Sequence, residues 1–79
     1  MKEKRVKVIA NFKVSIEYKD DSYSCYSTTN RLWSDEDGQV TEGVVEEWEK
    51  EIKESVFKKD YTVYECNVIC TSFFKLDNK

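Results

Sequence analysis

The chain of 79 residues has no histidine, no proline and only two glycines. Without histidine, the commonest general base and the commonest metal ligand are missing. Neither a Ser-His-Asp nor a Cys-His site can be built. Gly38 and Gly43 stand alone, so there is no glycine-rich phosphate cradle. Lack of proline and scarcity of glycine argue against a disordered linker or a loop-dominated scaffold. Cys25, Cys66 and Cys70 form an odd set. Reduced thiols in a cytoplasm are therefore expected, rather than the disulfide framework of a small secreted protein. No apolar run approaches the roughly 18 residues that would span a membrane. The start, Met1-Lys2-Glu3-Lys4-Arg5, leads into an alternating segment rather than an apolar signal core, and the expected location is cytoplasmic.

What the chain does have is periodicity. From Val6 to Tyr18 every even position is apolar, and every odd position except Ile9 is polar. That is the signature of a strand with one wet face. At about 3.3 Å per residue such a strand would run near 43 Å, long enough to require strong coiling or a bulge near Ala10-Asn11. A polar turn, Lys19-Asp20-Asp21-Ser22, separates it from a second strand, Tyr23 to Trp33. A two-residue loop at Asp20-Asp21 would set Tyr18 opposite Tyr23, Phe12 opposite Thr29 and Val8 opposite Trp33. A bulged three-residue turn would instead bring Tyr26 and Leu32 to the core. The pattern leaves both registers open, and the first is preferred because it puts Trp33 inside.

After the loop Ser34 to Gln39, Thr41 can cap a helix, with Val40 and Val45 spaced as a hydrophobic staple. Val44, Val45, Trp48, Ile52 and Val56 recur as one apolar stripe. Glu46–Lys50, Glu49–Lys53 and Glu54–Lys58 are supporting pairs four residues apart. The helix is expected to end near Lys58-Lys59. Tyr61 to Phe74 reads as a third strand. Its even face carries Tyr64, Cys66, Val68, Cys70 and Phe74, and its odd face Tyr61, Val63, Ile69 and Phe73, broken by Glu65, Asn67 and Thr71.

The fold class that follows is α+β: one domain over residues 1–79, a small two-layer β-β-α-β unit. Its antiparallel sheet has three strands in the order 2-1-3, with one helix on one face.

Chemistry enters mainly through charge. Cys66 and Cys70, four apart on a strand, would have Cα atoms about 13 Å apart, too far for a disulfide or easy joint zinc chelation. They read as buried small hydrophobes. Asp35-Glu36-Asp37-Gly38 fails as a calcium loop, because the first and last ligand positions would fall on Trp33 and Val44. No metal and no cofactor are expected. The candidate acid pairs lie on a loop or a polar helix face and read as solvated, whereas a catalytic acid usually needs a dry pocket, so the chain does not read as an enzyme.

The net charge of −3 is unevenly spread. Residues 1–19 carry six bases and two acids, whereas residues 35–54 carry nine acids against Lys50 and Lys53. Asp35, Glu36, Asp37, Glu42, Glu46, Glu47 and Glu49 are the candidate protein-binding residues, suited to a partner with a basic surface. The same acids argue against nucleic acid as a partner. Lys7 and Lys13 face outward on the first strand, but the pattern provides no aromatic–basic platform beside them. Ile9, Ile69 and Phe73 are expected on the sheet's outer face, with Tyr26, Leu32 and Val63, as a second interface that would serve a homodimer.

Small size, missing catalytic groups, an acidic patch and a Lys/Glu/Tyr-rich composition are together similar in kind to phage-encoded inhibitors of host defence, anti-CRISPR proteins among them. The likeness is one of type and carries no motif, so no family residue transfers. It implies a small, acidic, cytoplasmic, non-enzymatic module from a phage or mobile element. Such a module would dock its acidic loop and helix on a nucleic-acid-binding surface of a host protein. The alternatives are an assembly module pairing through its outer sheet face and a nucleic-acid binder using the basic first strand.

Overall fold

The computed structural model describes residues 4–76. Within that span the order is β1 (Lys7–Tyr18), β2 (Tyr23–Trp33), α1 (Glu42–Lys59) and β3 (Val63–Lys75). The strands form one antiparallel sheet in the order β2-β1-β3. The strand with the cleanest alternation is therefore central, and α1 lies on one face. This is the α+β arrangement that the periodicity predicts.

The even side chains of β1 build the core. Val8, Ala10, Phe12, Val14 and Ile16 are all buried. Val8, Ala10 and Phe12 pack with Trp48 of α1, and Phe12 meets the Trp48 ring edge to face, with centroids 6.5 Å apart. Val14 and Ile16 continue the core with Val63 and Cys66, beneath Ile52 and Val56. Thr41 caps α1, its hydroxyl accepting from the Val44 N–H at 3.3 Å, and Val40 and Val45 both pack on the first cluster. Lys58 and Lys59 close the helix with cations at its negative end.

Two features correct the expected side-chain faces. The first is the hairpin. The Tyr18 N–H bonds the Ser22 carbonyl, and the Asp21 N–H returns to the Tyr18 carbonyl. The loop thus has three residues, with Asp21 at φ 70°, a conformation that Asp tolerates better than most residues. Asp20 holds the turn by accepting from both the Ser22 N–H and its hydroxyl, and these bonds pull its carboxyl below the ordinary value. Asp60 does the same for Thr62 beside it. The resulting register sets Val8 opposite Leu32, Phe12 opposite Thr28 and Val14 opposite Tyr26. The preferred two-residue loop is therefore wrong by one position. Leu32 and Tyr26 face the helix side and Trp33 faces outward, 51% exposed.

The second feature is a pair of bulges in β3. Asn11 pairs with Ser72 but Phe12 with Cys70, leaving Thr71 extra; Glu17 pairs with Glu65 but Tyr18 with Val63, leaving Tyr64 extra. Each extra residue flips the side chains beyond it to the other face. Val63 becomes core, and Phe73 turns under the helix against Trp48, with ring centroids 6.2 Å apart. Phe74 takes the outward position expected of Phe73. The irregularity lies opposite Asn11, close to the expected Ala10-Asn11 site, but the extra residue belongs to the neighbouring strand.

The molecule is long: 50 × 21 × 19 Å, with a radius of gyration of 14.5 Å. A compact chain of this length would have about 12 Å. If Phe12 is the core keystone, Phe12→Ala should cost about 3–5 kcal/mol, and Lys13→Ala, one residue along on the wet face, within about 0.5 kcal/mol. Urea unfolding of the two variants tests this, and equal losses would overturn the face assignment.

Candidate functional site

α1 approaches β3 far more closely than β2. The helix-side face of β2 is consequently left as one wall of a cleft, with α1 as the other. Towards the β2 C-terminus the cleft has a volume of about 540 Å³. Leu32, Val44 and Trp48 form its apolar base, and Asp35, Glu36, Asp37, Glu47 and Glu51 line it with carboxylates. Arg5, Arg31 and Trp33 border it as well, the last two from outward-facing positions at the β2 edge. A shallower continuation runs between Tyr26, Thr28 and Asn30 of β2 and Ile52, Ser55 and Val56 of α1.

The loop that supplies three of these acids is built by its own hydrogen bonds. One Asp35 carboxylate oxygen accepts from the Asp37 N–H at 2.9 Å and the Gln39 N–H at 2.8 Å. The Asp35 N–H in turn donates to the Gln39 carbonyl. Ser34, the buried polar residue of the core, anchors the loop's start. Its hydroxyl accepts from the Val6 N–H and donates to the Asp35 carbonyl, both at 2.9 Å. The Trp48 indole N–H donates to the Trp33 carbonyl at 3.1 Å and fastens the end of β2 to the helix. Gly38 completes the loop at φ 78°, where a Cβ would stand 2.8 Å from the Lys4 carbonyl oxygen. Lys4 approaches because its N–H bonds the Glu36 carbonyl. Thus Asp35 is a scaffold acid, while Glu36 and Asp37 are exposed on a fixed frame.

The seven acids singled out from the sequence do not form one patch. Asp35, Glu36, Asp37 and Glu47 share the cleft. Glu49 lies on the opposite flank of α1, where its carboxylate accepts from the Cys70 N–H at 2.8 Å. Glu42 and Glu46 are exposed and, by helical phase, belong to Glu49's flank. Glu51 joins the cleft and was missed; its spacing of four from Glu47 is the signal that would have found it.

On the outer face, Ile9 and Ile69 point outward as expected, joined by Trp33 and Phe74 rather than Phe73. A polar row crosses the middle of this face. Thr29 donates to the Asn11 carbonyl oxygen of the side chain at 2.6 Å, and the Asn11 amide donates to the Ser72 hydroxyl at 3.0 Å.

The three thiols are free. Cys25 sits on the outer face beside Ser15, while Cys66 is in the core on the helix side, so the sheet separates them. Burial pushes the Cys66 thiol up; burial and the Glu49 carboxylate raise that of Cys70. Among the described residues, no three His, Cys, Asp or Glu side chains gather to hold a metal ion. No helix is long and apolar enough to cross a membrane. Neither a protein-family model, a curated protein nor a solved structure matches this chain.

Two outcomes test this geometry. Gly38→Ala should destabilise by about 1–3 kcal/mol, because both φ and the Lys4 carbonyl oppose a side chain; an unchanged urea midpoint would contradict the loop. A thiol reagent should modify Cys25 fast and Cys66 and Cys70 slowly in the native state, with all three equally fast after unfolding. Three equally fast thiols in the native protein would contradict the burial.

Proposed function

We propose that this protein is a non-enzymatic binding module, an inhibitor of the kind phages and mobile elements carry. In this reading it docks its acid-lined cleft on a basic, nucleic-acid-binding surface of a host protein. The observation that carries the reading is the clustering of Asp35, Glu36, Asp37, Glu47 and Glu51 at one mouth. Three of them are held on a loop stiffened by Asp35 and Ser34. Fixed like charges around an apolar floor suit a partner that brings cations and an apolar anchor together. Pre-ordering the loop lowers the entropy lost on docking.

The test starts with a pull-down from the native host, followed by association rates with the partner it identifies. Reversing Glu36, Asp37 and Glu47 to Lys should slow association about tenfold or more at low salt. The effect should shrink as salt screens the charges. Asp35 stays in place, because its carboxylate builds the loop. Reversing Lys7 and Lys13 should change the rate far less. Unchanged rates after the acid reversals would refute the cleft as the docking surface.

A further inference from the structure

The two corrections to the side-chain faces have a common consequence. The three-residue hairpin turns Trp33 outward, and the Thr71 bulge turns Phe74 outward. Both reach the same end of the outer face. Trp33 lies beside Lys7, and Phe74 beside Ile9, whose other neighbour is Arg31. Trp33 is 51% and Phe74 55% exposed. The Lys7 ammonium lies 5.7 Å from the Trp33 ring centre, a cation–π contact that orients the ring. Lys13 follows two pairs further along, beside exposed Ile69.

We propose that this end of the outer sheet face is a stacking platform for single-stranded nucleic acid. Exposed aromatic rings on a sheet stack unpaired bases, while cations on the same face hold the backbone. Strand spacing puts the Trp33 and Phe74 Cα atoms about 12 Å apart. That separation suits two bases splayed from one strand and not the rigid stack of a duplex.

Charge favours this occupant locally. By strand register Lys7, Lys13 and Arg31 point to this face. The face's acids, Glu17 and Glu65, pair with each other at the far end, about 33 Å along β1 from Lys7. The cleft acids gather with Val44 and Trp48 towards the helix side, and Arg31 and Trp33 border that cleft at the β2 edge. A second copy of the chain fits less well. Stacked on this face, it would bury the Thr29–Asn11–Ser72 polar row at its centre, where stable interfaces carry apolar side chains.

The experiment is fluorescence anisotropy with a labelled 12-nucleotide single strand, as RNA and as DNA, and with the matching duplex. Binding of either single strand above the duplex is expected, with a log–log salt slope of about −2 for three neutralised phosphates. Trp33→Ala should weaken binding about tenfold or more without lowering the melting temperature, and Trp33→Phe should restore most of it. Lys7→Glu with Lys13→Glu should flatten the salt slope. Glu47→Lys, which impairs the docking surface proposed above, should not weaken strand binding, so the two readings can fail separately. Anisotropy flat to about 100 μM, the weak end of non-specific binding, would overturn the proposal. So would equal affinity for the duplex, or indifference to Trp33→Ala. Sedimentation showing a dimer that Trp33→Ala dissolves would assign the face to a second copy and also overturn it.

Discussion

One helix has to cover three long strands. An α-helix rises about 1.5 Å per residue and a strand about 3.3 Å. The 18 residues of α1 therefore span about 27 Å over strands of 11 to 13 residues. Full coverage is geometrically out of reach, and the chain covers the centre. Phe12 edge-on to Trp48 lies under that cover, and Val8, Val14 and Ile16 extend the buried row along β1. The surfaces left open, the cleft beside β2 and the whole outer face, are the ones with functional interest. The accessible surface, 6069 Å², exceeds the about 5000 Å² of a compact protein of this mass.

The two edges of the sheet are treated differently. β3 carries two bulges, rests under α1, and has the Cys70 N–H capped by the Glu49 carboxylate. Each is a recognised way of closing an edge to pairing. Along β2 the pairing with β1 runs without a register shift, and Arg31 is its charged residue. Glu49 thus serves the fold, while Glu47, two residues away, serves the cleft. Neighbouring acids on one helix have unrelated tasks because successive residues point about 100° apart.

The two faces also differ in charge. The cleft mouth collects carboxylates on a stiff loop, and the outer face collects cations beside exposed rings. An overall charge of −3 conceals this polarity. The acids after β2 and the bases on β1 are separated by chain order, and they come closest at the β2 edge, where Arg31 and Trp33 border the acid-lined cleft.

The strict alternation from Val6 to Tyr18 determined a half-buried central strand, because a period of two leaves one face apolar whatever surrounds it. The stripe from Val44 to Val56, with its Thr41 cap, likewise determined the helix, and the order β-β-α-β with one face to bury led to the sheet order. Only tertiary structure decided the register of β2 and the bulges of β3. The hairpin hung on whether Asp20 would bind Ser22 and Asp21 accept a positive φ, a choice worth too little free energy to read from the pattern. The bulges came from fitting β3 to a coiled β1 beneath one helix, so Phe73 and Phe74, adjacent and chemically alike, could not be told apart in advance. The acids were legible as a cluster in sequence but not as a site. Which of them share the cleft depends on where α1 lies across the sheet, where its Trp48 packs on Phe12 and Phe73.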